Sequence, residues 1–242
     1  AGEAPLKCPC KAVFYCNSDC QRASWREHKK VCTVHLEGKL EKDRVRLGGE
    51  DRAIGDACCD LGGLYLGQDR LGLAEERFEE ALRIFGVVGG ERSGNVASVS
   101  TNLGVVYQKQ GRLNDALRLF RRALRIFRRL CGNDHHLVAE VLENVGTLLC
   151  EQGKHERAME NLEEAHAMYV GLYGEDHEKV AIVLGNMAIV LKDQGRGSEA
   201  LKMHEKALDI NRRTHGSDND NVVMSLCNLG GAYTDQGMLD EA

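Results

Sequence analysis

Apolar residues recur along this chain at helical spacing and, on a longer scale, with a period of 42 residues. Val96, Val138, Val180 and Val222 are separated by that interval (138 − 96 = 42), and one more step backwards reaches Ile54. A spacing kept over four copies without insertion indicates a structural repeat. We count each of these five residues as position 0 of its repeat.

Within one repeat, the pattern predicts two helices. In the second copy, apolar residues recur at steps of three and four over residues 96–107 and again over residues 113–130, which gives each run one apolar helical face. Gly111 between them suits a left-handed cap, and Asp134 can cap the next helix. Small residues recur at positions 8, 20 and 27, where they allow two antiparallel helices to approach closely. The sequence therefore predicts an all-α fold.

The repeat resembles the tetratricopeptide repeat (TPR), whose usual length is about 34 residues. The family motif is seen in the second copy as Leu103-Gly104-x2-Tyr107…Ala116-x3-Phe120. A longer second helix explains the extra residues, and connectors such as Gly-Glu-Asp-His at 174–177 are similar to those of kinesin-light-chain repeats. The resemblance implies a right-handed TPR superhelix of helix-turn-helix repeats, whose first helices line a concave groove that binds extended peptides.

Position 6 is the candidate peptide-binding row on this groove. It is Asp60 in the first copy, and in the later copies it is Asn102, Asn144, Asn186 and Asn228. An amide offers both donors and an acceptor, and asparagine is a poor helix former. We interpret the row as a ladder that holds a peptide backbone; the alternative is that each amide only bonds a neighbouring helix. Positions 2 and 5 carry no cation, so a carboxylate clamp of the chaperone-binding type is not expected.

The charge distribution favours protein partners. The net charge of −5 argues against a chain devoted to nucleic acid. The arginine-rich helix of the second copy lies, in repeat register, between two acidic helices. In successive copies, positions 25 and 26 are Glu79-Glu80, Arg121-Arg122, Glu163-Glu164 and Glu205-Lys206. We interpret this order as inter-repeat ion pairing. No apolar run long enough for a membrane span occurs, and no small-molecule substrate is expected.

Five of the ten cysteines form a cluster with one histidine near the start of the chain. Its spacing is Cys8-x-Cys10-x5-Cys16-x3-Cys20-x7-His28-x3-Cys32. Thiolate and imidazole are preferred zinc ligands, and such spacings in a helix-rich chain favour a metal site over disulfides. So short a segment buries no core of its own, so zinc would supply its folding energy. The remaining five are predicted to be buried apolar residues in a reducing compartment: Cys58, Cys59, Cys131, Cys150 and Cys227.

The cluster resembles a MYND-type zinc finger. The likeness covers residues 7–32 and is carried by Phe14-Tyr15-Cys16-x3-Cys20-Gln21-x3-Trp25-x2-His28-Lys29-x2-Cys32, the second half of such a finger. That family holds two zinc ions through eight interleaved ligands. The resemblance implies that one ion is held by Cys8, Cys10, His28 and Cys32. Two cysteines that precede Ala1 would hold the other ion together with Cys16 and Cys20. The family usually has two residues between the ligands that correspond to Cys8 and Cys10, whereas this chain has one. The alternative is therefore a single ion held by Cys16, Cys20, His28 and Cys32.

These signals divide the chain into three parts. Residues 1–35 are predicted to form a partial MYND-type zinc finger, the C-terminal part of the module, and residues 36–53 a helical linker. Residues 54–242 are predicted to form a TPR solenoid. Its repeats occupy residues 54–95, 96–137, 138–179 and 180–221, with a truncated copy at 222–242.

The combination predicts a non-enzymatic protein–protein interaction scaffold that binds zinc through the finger and extended peptides in the groove. No nucleophile pairs with a histidine at a useful spacing, so no catalytic residue is predicted. One alternative is the accessory region of a MYND-containing protein-lysine methyltransferase, because one such family combines the same two modules. Another is a structural component of a cytoskeletal or ciliary assembly. The unpaired thiols favour a cytoplasmic location, with the nucleus as the alternative.

Overall fold

The computed structural model of the chain describes residues 6–7, 14–15, 33, 36–216 and 219–235. Near the start, β1 (Leu6–Lys7) and β2 (Phe14–Tyr15) form a short antiparallel ladder in which Lys7 pairs with Phe14. A first helix, α1, passes through residues 36–47. The predicted zinc ligands lie outside the described residues: Cys8, Cys10, Cys16, Cys20, His28 and Cys32.

The remaining described helices alternate between 16 and 19 residues in length. They are α2 (Arg52–Gly67), α3 (Leu71–Gly89), α4 (Gly94–Lys109), α5 (Leu113–Cys131), α6 (His136–Glu151), α7 (His155–Tyr173), α8 (Glu178–Asp193), α9 (Gly197–His215) and α10 (Asp220–Asp235). Successive first helices begin 42 residues apart (94 − 52 = 42), and so do the second helices (113 − 71 = 42). The all-α class is therefore confirmed, and the helices keep the period of the sequence.

The first helices begin at a repeated N-cap. In the third copy this cap is His135, which has an extended backbone (φ −139°, ψ 141°) and whose Nδ1 accepts the N–H of Leu137 at 3.2 Å. His177 caps the fourth copy in the same way. The expectation that Asp134 caps this helix was wrong by one residue, because the Nδ1 of His135 supplies the acceptor that satisfies an orphan N–H of the first turn.

The first helices also end alike. Gly111, Gly153 and Gly195 follow α4, α6 and α8 with φ of 76°, 70° and 76°, which confirms the cap predicted at Gly111. In the third copy, the N–H of Lys154 reaches the carbonyl of Leu149 at 2.9 Å, the bond of a Schellman motif. The first copy has Asp69 at the same position, with a φ of 58° that residues other than glycine rarely adopt.

The chain divides into two compact units, residues 1–112 and 113–242. In the first, α2 packs against α3 and α3 against α4; in the second, α6 packs against α7, α7 against α8, and α8 and α10 against α9. The predicted division into a finger, a linker and repeats stays a prediction. Among the described residues, no helix combines the length and apolar character needed to cross a bilayer.

Close approach of paired helices explains the small residue at position 8. A Cβ added to Gly62 would lie 2.8 Å from the ring of Phe78, and one added to Gly146 would lie 2.6 Å from Leu162 Cγ. Phe78 and Leu162 are wholly buried. In each of these two hairpins, a large residue of the second helix therefore fills the space that glycine leaves on the first.

The cysteines of the repeats are only partly as predicted. Cys58 is buried, Cys59 and Cys150 are half-buried, and Cys131 and Cys227 are exposed, with all five thiols free. The prediction of five buried residues was therefore wrong for the last two. Cys131 is the final residue of α5, where the helix end leaves it open to solvent.

Candidate functional site

The position-6 residues lie on first helices and differ in their exposure. In the first unit, Asp60 of α2 and Asn102 of α4 are exposed. In the second unit, Asn144 of α6 and Asn186 of α8 are half-buried, while Asn228 of α10 is exposed. Asn102 and Asn228 are therefore the most accessible amides of the predicted row.

Asn186 takes part in a network within the fold. Its Nδ2 donates to Glu143 Oε1 at 3.0 Å, and the hydroxyl of Tyr169 donates to Glu143 Oε2 at 3.1 Å. Burial raises the pKa of Glu143, against the opposing effects of the Tyr169 hydrogen bond and of Lys179. The network joins α6, α7 and α8. The amide of Asn186 therefore hydrogen-bonds a neighbouring first helix, as the alternative interpretation of the row expects.

A cleft of about 310 Å³ opens between α8, α9 and α10. Asn186 and Asn228 both line it, so the structure brings two of the predicted peptide-binding residues to one site. Three large apolar side chains of the same lining are exposed, Ile182 to 41%, Ile189 to 47% and Met224 to 62%. The cleft thus combines amides with accessible apolar surface.

Three further residues that line the cleft are buried and polar: His204, Asn211 and Ser225. Asn211 Nδ2 donates to Ser225 Oγ at 2.8 Å, and Ser225 Oγ donates to the carbonyl of Asn221 at 2.9 Å. The other amide atom, Asn211 Oδ1, is buried without a partner among the described residues. Such an acceptor costs about 1–3 kcal/mol when unsatisfied, so a ligand that brings a donor into the cleft recovers that free energy.

His204 adds a second polar group to the cleft. It is 7% exposed, and burial, with a smaller contribution from Lys192, lowers the pKa of its imidazole. A neutral imidazole presents one donor and one acceptor. The cleft therefore offers hydrogen-bonding groups but no fixed charge among its described lining residues.

Two of these groups, His204 and Asn211, lie on the second helix of the fourth repeat and have no polar counterpart of the same kind in the other three described second helices. Position 24 runs Phe78, Phe120, Leu162, His204, and position 31 runs Phe85, Phe127, Tyr169, Asn211. At these two buried positions the fourth copy has a polar imidazole in place of Phe or Leu and a small amide in place of an aromatic ring, and both residues line the cleft. Sequence reasoning missed these residues, although the aligned copies carry the signal: a polar residue where the other copies are apolar or aromatic.

A wider cleft of about 700 Å³ lies beside α5 and α7, lined in part by Arg128, Glu164 and Met168. Arg128 Nη2 pairs with Glu164 Oε1 at 2.6 Å, which joins second helices of adjacent repeats. This is ion pairing of the predicted kind, here between position 32 of one copy and position 26 of the next. We place the candidate peptide site in the smaller cleft, because two amides of the predicted row line it together with exposed apolar side chains and the unpartnered Asn211 Oδ1.

Two protein families match the chain. The tetratricopeptide repeat family model matches residues 95–170, 137–197 and 179–242, which together span 148 of 242 residues (242 − 95 + 1 = 148). A MYND finger matches residues 1–32. The finger thus lies at the N-terminal end of the chain, so the label "C-terminal" given to it in the sequence-based prediction is wrong as a placement.

Solved structures share the fold. A crystal structure of BtubC (BKLC) from P. vanneervenii has a TM-score of 0.72 at 24% identity, covering 88% of this chain and 86% of that one. A putative kinesin light chain from Podosopora anserina, with nearly identical TPR-like repeats, has a TM-score of 0.65 at 19% identity, covering 79% of this chain and 91% of its own.

A single-substitution variant of the Podosopora anserina protein is similar to the same degree. Its crystal structure has a TM-score of 0.64 at 18% identity, and the match covers 77% of this chain and 88% of that one. At these identities, the likeness concerns the fold alone. It confirms the predicted similarity to kinesin-light-chain repeats at that level. A comparison with curated proteins found no match.

Proposed function

Because the chain belongs to the tetratricopeptide repeat family and carries a MYND finger at its N-terminal end, we propose that it is a non-enzymatic scaffold that binds an extended peptide in the cleft of its second unit. Both modules support a role in protein interaction. The observation that carries the finer proposal is the buried Asn211 Oδ1, an acceptor without a partner among the described residues, in a cleft that two amides of the predicted row also line.

The lining chemistry suits a peptide main chain with an apolar side chain. A backbone N–H of the peptide donates to Asn211 Oδ1, and the exposed amide of Asn228 offers a donor and an acceptor to the next peptide group. An apolar side chain of the ligand covers Ile182, Ile189 and Met224, each more than 40% exposed. None of the described lining residues is Lys or Arg, so the ligand is an internal segment rather than a C-terminal carboxylate.

Zinc in the finger belongs to the same proposal. The donor set of five thiolates and one imidazole fits zinc, with Cys8, Cys10, His28 and Cys32 on one ion and Cys16 and Cys20 on the other. The described part of this segment contains only a two-residue ladder, and an isolated hairpin is marginally stable in water. When bound, zinc supplies the folding free energy that such a segment lacks.

The peptide site is tested with a defined ligand. A peptide selected from a displayed random library against the full chain is labelled, and its affinity is measured by fluorescence anisotropy. Asn228→Ala removes an exposed cleft amide, and we expect it to weaken binding roughly 2- to 10-fold, the worth of one hydrogen bond. Ile182→Glu, which places a charge against the apolar side chain of the ligand, is expected to weaken it further.

The matched control is Asn161→Ala. Asn161 is an amide on α7 whose Nδ2 already bonds the carbonyl of Arg157 at 2.6 Å, and it does not line the cleft. Its loss is expected to leave the affinity unchanged. Equal affinities for wild type, Asn228→Ala and Ile182→Glu would place the peptide elsewhere and refute the proposal.

The location proposed for the protein is the cytoplasm, with the nucleus as the alternative. The five free thiols of the described chain favour a reducing compartment. The structural neighbours share the fold alone, so a cytoskeletal role is not carried over from them. No described contact favours the methyltransferase alternative.

A further inference from the structure

Three potential metal ligands meet at one end of the second-unit hairpins. Cys150 lies in the last turn of α6, His155 is the first residue of α7, and Asp193 is the last residue of α8. Cys150 Sγ lies 3.3 Å from Asp193 Oδ2 and 4.0 Å from His155 Nδ1. All three ligand atoms lie within 4.8 Å of one another, and none of the three residues lines the peptide cleft.

The backbone holds the cluster in place. The turn after α6 is closed by the N–H of Gly153 on the Cys150 carbonyl at 2.8 Å, which returns the chain so that His155 faces Cys150 from the next helix. The third ligand comes from α8, the first helix of the following repeat. In a tetrahedral zinc site with bonds of 2.0–2.3 Å, ligand atoms lie about 3.3–3.8 Å apart. Small side-chain rotations therefore bring these three atoms to zinc-binding distances.

The repeat register shows how this junction differs from the next one along the chain. Cys150 is at position 12 and Asp193 at position 13 of the next repeat. One repeat further along, the same two positions are Lys192 and Asp235, whose Nζ and Oδ2 form an ion pair at 2.5 Å. A cation therefore neutralises the carboxylate at that junction. In the third copy a thiol stands in place of the ammonium group, and the carboxylate has no lysine opposite it.

His155 is also particular to this copy. The equivalent residues at position 17 are Leu71, Leu113 and Gly197, none of which can bind a metal. A sulfur, a nitrogen and an oxygen ligand thus coincide at one junction, and the aligned copies described here place no such set at the equivalent positions. Cys150 and His155 are half-buried and Asp193 is exposed, so an ion can enter from solvent.

We propose that Cys150, His155 and Asp193 form a binding site for a divalent transition metal, with zinc the best fit to a mixed sulfur, nitrogen and oxygen donor set. Binding releases the thiol proton of Cys150 to solvent, because the thiolate is the ligand. Three protein ligands leave one position for water. The ion ties the third repeat to the fourth, and the site depends neither on the peptide cleft nor on the finger.

The test measures metal content in the full chain. Wild type, Cys150→Ser and Asp193→Asn are dialysed against the same buffered zinc solution, and zinc per chain is measured by elemental mass spectrometry. The expected result is a loss of one zinc per chain in both variants. Zinc in the finger adds to every total and cancels in the difference, so the result does not depend on how many ions the finger holds.

Two matched controls accompany the cluster variants. Cys131→Ser removes an exposed thiol of the same unit, and Asp235→Asn removes the equivalent carboxylate at the next junction; both are expected to keep the wild-type zinc content. Cobalt titration gives a second readout, in which Cys150→Ser lacks part of the thiolate-to-cobalt absorption. Equal zinc contents and equal cobalt spectra overturn the proposal. A loss of zinc in the controls as large as in the cluster variants also overturns it, since metal content would then not depend on this cluster.

Discussion

Replacing Gly146 by alanine tests how closely the helices of the third hairpin approach. The new Cβ would lie 2.6 Å from Leu162 Cγ, 2.7 Å from its Cδ2 and 3.2 Å from the carbonyl of Ala158. Leu162 is wholly buried, so either its side chain leaves a favoured rotamer or the helices move apart. Overpacking costs about 1–3 kcal/mol and the gain in helix propensity is about 1 kcal/mol, so we expect a net loss of about 0–2 kcal/mol.

Gly171→Ala is the matched control on the partner helix. A Cβ there would have no neighbour within 4 Å, so only the propensity gain applies, and we expect a stabilisation of about 0.5–1 kcal/mol. Urea unfolding followed by far-UV circular dichroism gives the two midpoints. In a Leu162→Ala background the two side-chain contacts are absent and only the approach to the Ala158 carbonyl remains, so Gly146→Ala is expected to cost less there than in the wild type. If Gly146→Ala and Gly171→Ala shift the midpoint equally, close approach does not explain the glycine.

Three other predictions follow from single residues or from the metal. Burial raises the pKa of Glu143. The stability that this shift contributes is therefore complete below about pH 4.3, the pKa of an unfolded Glu, and is lost as the pH rises through the folded pKa. Glu143→Gln is expected to flatten the plot of unfolding midpoint against pH over that range, and an unchanged slope would contradict this. Asp69→Gly relieves a φ of 58° and is expected to stabilise the protein by about 1 kcal/mol. The ion pair that it removes, with Lys109 at 4.0 Å, is exposed and contributes little. Gly153→Ala, at a φ of 70°, should shift the urea midpoint the opposite way. Chelation of zinc is expected to unfold the finger while most of the helical signal remains, since the hairpins bury their own cores, and a collapse of that signal would show that they depend on the metal.

The repeat helices could be predicted from the sequence because their determinants are local. Apolar residues at steps of three and four mark each helical face, and Gly111 marks a helix end through its positive φ. The start of α6 was misplaced by one residue because Asp is a preferred N-cap and His is not. His135 acts as the cap through a single ring nitrogen, Nδ1, which residue preferences do not anticipate.

The chemistry of the candidate sites could not be predicted in the same way. Asn186 was identified by its position, but its partner Glu143 is 43 residues away on another helix. The Cys150, His155 and Asp193 cluster likewise depends on how α6, α7 and α8 pack. Asn211 falls between these cases. Its polarity at an aromatic position was visible in the aligned copies, while its lack of a hydrogen-bond partner for Oδ1 among the described residues required coordinates.

Because the helix lengths are uniform, the order of the copies determines which side chains meet at each junction. Both candidate sites of the second unit are shared between neighbours: one joins α6 and α7 to α8, and the other joins α8 and α9 to α10. Any copy could exchange places with another without altering helix length or spacing, since all begin 42 residues apart. An exchange that moves the third, fourth or fifth copy would nevertheless separate Cys150 from Asp193, or Asn211 from Ser225. The arrangement of the copies therefore specifies the ligands, while their common length specifies the fold.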